Sequence, residues 1–313
     1  MAHHHHHGHH HEHGATGKIL IASLAVTLLF VATEAVAGWW SGSLALLSDA
    51  GHNFTDAFGL LLAATAYKLE ARPGDQVKTF GYQRTGVLAA FVNALMLVVI
   101  SVFLIWESVQ RLRTPEPVND QVMLIVAAIG LVVNLAIAWG VGGHGNDLNM
   151  RATFLHQIGD AASCVGIIVG ALIIRSTGWL VVDPILSIVM SVFIIWTAWD
   201  IFKDSLNILL EGLPKGLNLA EVTREIRSVR RVDDVHDLHI WSLGSDASAL
   251  SCHVVIEDMP TSESELILAD VNRVLEDKFH IHHATIQFEH TRCAAADVCA
   301  GGAREDAMAR GVQ

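Results

Sequence analysis

The sequence predicts an α-helical membrane protein of six transmembrane helices that ends in a small ferredoxin-like α+β domain (αββαβ) in the cytoplasm. Three observations lead there. The chain of 313 residues is 52% hydrophobic and only 17% charged, with a mean hydropathy of +0.42, which is the composition of a membrane protein. Its apolar residues gather into six segments, each near the ~20 residues needed to cross a ~30 Å hydrocarbon core. After Leu213-Pro214 these runs give way to shorter stretches of helical and alternating spacing.

The segments follow in order. Ile19–Ala37 carries one ionisable residue, Glu34, and Leu44–Leu69 contains the word His52-Asn-Phe-Thr-Asp56. Val87–Trp106 and Val122–Val141 hold no charged side chain. Ala152–Ile174 contains a second word, His156-Gln-Ile-Gly-Asp160, and Leu180–Trp199 has Asp183-Pro184 near its start. The segments with the two words also carry Asn53 and Gln157, so neither is suited to face lipid all round, and both are expected innermost. With the N-terminus inside, the cytoplasmic flanks hold Lys18, Lys68, Arg72, Lys78, Arg84, Arg151 and Lys203, against Arg111, Arg113 and Arg175 outside. That bias places both termini in the cytoplasm.

In the C-terminal part, Leu219, Val222, Ile226 and Val229 recur at helical spacing. Strands are expected over Val235–Trp241 and Ala249–Glu257, joined by a hairpin loop at Gly244-Ser245-Asp246. Ser262-x-x-Glu265 reads as a capping box opening a helix to about Phe279, and Ala284–Glu289 as the last strand. The resulting organisation is a His-rich cytoplasmic tail (1–16), a six-helix transmembrane domain (17–205), a cytoplasmic domain (206–290) and a tail without apolar period (291–313) that is expected to be disordered. The net charge of −12 is concentrated after about Asp200, which argues against a nucleic-acid partner. Four cysteines, Cys164, Cys252, Cys293 and Cys299, are too few and too scattered for a disulfide framework. No cleavable secretory signal is evident, because a histidine tract stands where a Lys/Arg-rich start is required.

The chemistry lies in the two words. A histidine and an aspartate four residues apart share one helix face, with Cβ atoms ~5–6 Å apart. An ionised carboxylate at mid-bilayer costs at least ~2.5–3.5 kcal/mol, so each aspartate needs a partner. Together His52, Asp56, His156 and Asp160 offer four N/O ligands and two negative charges, which matches tetrahedral Zn²⁺. Polar packing between helices is the plainer alternative, but packing does not call for carboxylates. A metalloprotease expects a His-Glu-x-x-His word and an open position for water. The word is absent from the chain, and the expectation is a protein that is not an enzyme. Imidazole, with its ordinary pKa near ~6.5, can take up a proton as metal leaves.

Other polar residues have plainer readings. Asp49 either lines an approach to the site or caps the helix start near Ser48. Asn53 and Asn134 read as helix-packing contacts, and Glu34 and Glu107 as solvated groups at the membrane edge. Nine histidines among the first thirteen residues, interrupted by Gly8 and Glu12, read as a native tract. Such a tract concentrates divalent ions near the pore.

At this point the chain resembles the cation diffusion facilitator family, in its zinc-type branch. Ser43-Leu-Ala-Leu-Leu-Ser-Asp-Ala-Gly-His-Asn-Phe-Thr-Asp56 is similar to the second-helix signature, and Asn146-Asp-Leu-Asn-Met-Arg-Ala-Thr-Phe-Leu-His-Gln-Ile-Gly-Asp160 to the fifth. Val235-His-Asp-Leu-His-Ile-Trp-Ser-Leu243 and Thr285-Ile-Gln-Phe-Glu289 are similar to the cytoplasmic-domain strands. The resemblance covers roughly residues 17–290. It implies a homodimer in the lipid bilayer of a cytoplasmic (inner) membrane that exports Zn²⁺, with Cd²⁺ or Co²⁺ as further substrates, against H⁺ by alternating access. It also implies a metal-sensing cytoplasmic domain, with Zn²⁺ as regulatory ligand at His236, His253, His282 and Glu289, and with His239 and His283 as adjacent alternatives. Cys293 and Cys299 have five residues between them, wider than the Cys-x-x-Cys of eukaryotic relatives, and are accessory candidates. The histidine-rich loop that relatives carry between helices four and five is here only His144. The loop Glu70–Gln83 holds Asp75 and no histidine, so the family's extra surface site is not expected. A zinc receptor that does not transport uses the same ligands, and the two readings part on whether metal crosses the bilayer.

Overall fold

The structure, a computed structural model, describes residues 12–142, 148–245 and 247–291. They form two units: one comprises the chain up to Ala64 together with Ala90–Phe202, the other Thr65–Ala89 together with the chain from Lys203.

The first unit is helical because its Leu, Ile, Val and Ala runs lack internal proline, and a chain in hydrocarbon must satisfy its backbone donors within each segment. Its helices belong to α1 (Glu12–Ser41), α2 (Leu44–Glu70), α3 (Thr85–Arg113), α4 (Asp120–Gly142), α5 (Leu148–Thr177) and α6 (Val182–Leu209). Among the described residues, four helices are long and apolar enough to cross a membrane: Thr85–Arg113, Asp120–Gly140, Thr153–Thr177 and Val182–Leu209. The described apolar part of α1 is the shorter Val26–Ser41. Helix α2 is diluted by Ser48, Asp49, His52, Asn53 and Asp56. Gly42, at φ +72°, turns the chain between α1 and α2, and Gly178, also at +72°, between α5 and α6; both sit in left-handed conformations that glycine adopts freely. Ala37, Ala45, Leu46, Met123, Val126, Ala127, Ile167, Ala171 and Ile174 make a core from α1, α2, α4 and α5.

The first turn of α2 is capped from another helix. The Asp183 carboxylate accepts from Ser43 Oγ at 2.6 Å, Leu44 N at 2.7 Å and Ala45 N at 3.2 Å. These are donors that a helix start leaves without intrahelical partners. Asp49, which the sequence offers as a possible cap, lies instead in the second turn and is buried.

The second unit contains α7 (Leu219–Arg227), β1 (Val232–Ser242), β2 (Ser248–Ile256), α8 (Thr261–Phe279) and β3 (His283–Glu289). The sheet runs β1-β2-β3. β1 and β2 are antiparallel, whereas β2 and β3 are parallel, with α8 as the crossover that a parallel pair requires. Along β2, Leu250, Cys252, Val254 and Ile256 are buried, while Ser251, His253 and Val255 are only partly covered. The even-numbered set joins Val222, Ile226, Ile267, Val271 and Leu275 of α7 and α8 in the core, which leaves the His253 face of the sheet open. Burial there pushes the Cys252 thiol up to about 12, so it is chemically inert.

Asn218 caps α7, its side chain accepting from Ala220 N and Glu221 N. The expected capping box of α8 does not form. The helix opens at Thr261 behind Pro260, which contributes no side-chain cap, and Ser264 Oγ bonds back to the Thr261 carbonyl at 2.9 Å. The early start places Ser262 inside the first turn. Within this unit the α2–α3 connection packs on the α+β domain. Arg84 donates to the Ser242 carbonyl at 3.0 Å and to Glu211 at 3.2 Å, and Phe80 meets His283 edge to face. Asp75 organises the connection, accepting from Val77 N and Lys78 N at 2.7 Å each and from the Tyr82 hydroxyl at 3.0 Å. Those donors hold its carboxyl below the usual range.

Candidate metal centres

Helices α2 and α5 bring the two His/Asp words together. His52 Nε2 lies 3.5 Å from Asp56 Oδ2 and 3.8 Å from Asp160 Oδ1. His156 Nε2 lies 3.2 Å from Asp56 Oδ2 and 3.5 Å from Asp160 Oδ2. The two imidazoles meet edge to face, with centroids 6.0 Å apart. Four donors around a tetrahedral zinc at ~2.0–2.2 Å are separated by ~3.3–3.6 Å, close to these spacings. Ligand atoms of His52, His156 and Asp160 all fall within 4.8 Å of one another. Asp160 is buried, whereas 44% of the His156 side chain is exposed, so the group is open on one side. His52 Nδ1 and Asp56 Oδ2 make no hydrogen bond.

Glu34 is not a solvated edge residue. It is fully buried on α1, and Asn53 Nδ2 donates to its Oε2 at 3.3 Å. A position three residues before the end of the apolar segment suggests the edge; the structure continues α1 to Ser41, which draws Glu34 inside.

The second unit holds another group on the open face of its sheet. His236 and His253 are register partners on β1 and β2, with ring centroids 5.3 Å apart. His253 in turn pairs with Gln287 of β3, and Glu289 lies two residues on, on the same face. Glu289 Oε1 is 2.9 Å from His253 Nδ1 and Oε2 is 3.3 Å from His236 Nε2. Neither ring nitrogen of buried His236 makes an aligned hydrogen bond, so it keeps a lone pair available for a metal, and the N₂O donor set suits zinc. His282 does not join. It precedes β3 and lies 3.5 Å from Glu276, and at ~3.3 Å per residue the seven positions to Glu289 span roughly 20 Å. Asp237 stands closer, 3.9 Å from His253 Nε2 and 3.0 Å from His239 Nε2. It occupies a bulge between His236 and His239 at φ +51°, which re-aims its side chain. An aspartate between two strand histidines was the signal available for it. Cys293, Cys299, His144 and the histidines before residue 12 lie outside the described residues.

Comparison with known proteins bears on both units. The cation efflux transmembrane domain family matches residues 20–210, and the cytoplasmic domain of cation efflux proteins matches residues 214–291. The chain belongs to the cation efflux, or cation diffusion facilitator, family. This cation diffusion facilitator is 41% identical over 301 residues to the zinc transporter ZitB of Escherichia coli (strain K12), covering 95% of each chain. It is 41% identical over 282 residues to the cadmium, cobalt and zinc/H(+)-K(+) antiporter of Bacillus subtilis (strain 168), covering 89% of this chain and 90% of that one. The metal-bound C-terminal domain of the CzcD transporter from Cupriavidus metallidurans is 44% identical, covering 23% of this facilitator and 99% of that chain, with a TM-score of 0.22.

Proposed function

We propose that this protein exports Zn²⁺, with Cd²⁺ and Co²⁺ as further substrates, across a cytoplasmic membrane in exchange for protons, with both termini in the cytoplasm. The observation that carries the reading is the convergence of His52, Asp56, His156 and Asp160 within 3.8 Å in the helical unit. Zinc is the substrate there, held by two imidazoles and two carboxylates whose charges cancel its own. When it leaves, the carboxylates face each other across the imidazoles, and protons taken up by the histidines restore the charge balance. Loaded with metal or with protons, the site is close to neutral inside the bilayer, which permits its reorientation; unloaded, it is costly to move. Alternating access with metal outward and protons inward follows from that preference. Relatives named as a zinc transporter and as a zinc/H(+)-K(+) antiporter over most of their length support the same reading.

In the cytoplasmic domain, His236, His253 and Glu289 are the residues that would hold a regulatory zinc, with Asp237 beside them. His282 and the cysteines Cys293 and Cys299 are at most accessory. A bound ion there would cancel charge on an acidic domain and draw the two protomers of a homodimer together. The domain boundaries read from sequence, 17–205 for transport and 206–290 for sensing, belong to this proposal; the structure groups Thr65–Ala89 with the second unit instead.

The test is metal flux into proteoliposomes under an imposed pH gradient. Gradient-driven Zn²⁺ uptake by the intact chain, lost in Asp56→Ala and Asp160→Ala, is the expected result. Zinc binding without uptake by the intact chain would sink the exporter reading and leave a receptor.

A further inference from the structure

Beyond the transport site the contacts of α2 and α5 continue as a ladder. Asp56 meets His156 at 3.2 Å, His52 meets Asp160 at 3.8 Å, and one turn further Asp49 meets Cys164 Sγ at 3.8 Å. Glu34 of α1 joins this last rung, where its carboxyl and that of Asp49 hydrogen-bond each other. Glu34 and Cys164 are fully buried, and Asp49 is 1% exposed. The pair's other donors are neutral: the Asn53 amide reaches Glu34 Oε2 at 3.3 Å, and the Cys164 thiol points at Asp49 Oδ2. Glu34 Oε1 and Asp49 Oδ1 receive no bond from either. The charged groups that face the pair are His52 on α2 and Asp160 on α5. From α4 comes the neutral Asn134 amide, which donates to Cys164 Sγ at 3.7 Å. Ionised carboxylates only accept, so two of them bond each other only through a proton that one carries. Burial side by side favours that proton, because two like charges so close are costly there.

We propose that Glu34 and Asp49 share a proton of the exchange, one helical turn from the transport site, which leaves when metal binds there and returns when metal goes. Its place in the exchange rests on the transport reading; the proton itself does not. It adds to the protons that the histidines take up. Asp49 and His52 are three residues apart on α2, which sets their Cβ atoms ~5–6 Å apart. The two sites therefore act on each other through charge across one turn, without a shared ligand. Positive charge arriving at the transport site favours the doubly ionised pair, and its departure favours the shared proton. The pair lies toward the Gly42 turn, the end of α2 away from the cytoplasm in the proposed orientation. That is the side from which protons enter in an exporter driven by them.

A protonated carboxyl has a carbonyl stretch of its own, which infrared difference spectroscopy reads in the full-length protein reconstituted in lipid. Near neutral pH the metal-free protein should show such a band, and saturating Zn²⁺ should remove it. The band should be missing from the double variant Glu34→Gln with Asp49→Asn, whose amides keep the size and the bonding of the pair. In weakly buffered solution, the protons released on saturation with Zn²⁺ should fall by about one per protein in that variant. In Asp56→Ala, which lacks a transport ligand, Zn²⁺ should leave the band in place. Absence of a band that the double variant removes overturns the shared proton. A band that survives Zn²⁺, with an unchanged proton count, overturns its part in the exchange, as does a band that Zn²⁺ removes equally from Asp56→Ala. Zn²⁺ flux under a pH gradient, intact in the same protein, would then leave the transport reading standing. Should the double variant not fold, each single amide variant is recorded instead, and a band and proton count identical to those of the intact chain in both overturn the pair.

Discussion

At the proposed transport site the donor atoms would set which ion is preferred. His156 contributes a nitrogen facing both carboxylates, at 3.2 Å from Asp56 and 3.5 Å from Asp160. Replacing it by aspartate makes the set harder and more anionic, and oxygen-rich sites favour Mn²⁺ where imidazole favours Zn²⁺. His156→Asp should therefore narrow the preference for Zn²⁺ over Mn²⁺ in proteoliposome uptake, and an unchanged selectivity would count against the ligand assignment. Most of this site was legible because helical spacing alone places residues i and i+4 on one face. The cytoplasmic group was legible only in part. His236, His253 and Glu289 follow from strand positions, but including His282 ignored the rise of β3, and omitting Asp237 passed over an aspartate set between two strand histidines, at the bulge between His236 and His239.

At the scale of elements, the start of α2 depends on Asp183 of α6. Asp183→Ala strands Ser43 Oγ and the amides of Leu44 and Ala45 in a buried place. A cost of about 2 kcal/mol or more is expected, visible as a lower melting temperature in detergent, together with weaker metal flux because His52 is two turns along the same helix. Helix packing has an equally local weak point. A Cβ at Gly130 would approach Phe30 Cζ to 2.6 Å, so Gly130→Ala should destabilise the helical unit by about 1–3 kcal/mol, again measured by thermal unfolding. In the cytoplasmic domain Lys278 of α8 lies 2.5 Å from Glu225 of α7 and holds its carboxyl below the usual range. A lowered folded value stabilises above the unfolded value of ~4.3 and is lost as pH falls through the folded one. The difference in melting temperature between the intact protein and Lys278→Met should accordingly shrink below about pH 4.

For the whole molecule, the two metal groups answer to different conditions. If the proposed regulatory zinc binds at His236, His253 and Glu289, chelation should let the domains of a dimer move apart, an increase in inter-protomer distance readable by spin labels and abolished in His253→Ala. Removing the histidine-rich residues before Gly14 should raise the Zn²⁺ concentration for half-maximal flux while leaving maximal flux in place, since ligands outside the transport pathway alter local ion concentration and not the pathway. What the sequence by itself determined is the set of helices, the αββαβ order and the two His/Asp words that α2 and α5 carry, because hydrophobic length and the periods of 3.6 and 2.0 are local properties of the chain. Only the tertiary structure decided that Asp183 caps a helix 139 residues away, that Glu34 is buried against Asn53, and that Asp49 and Cys164 share a rung. Those pairings come from which faces of separate helices meet. Side-chain packing in three dimensions selects them, and no spacing along one segment encodes it.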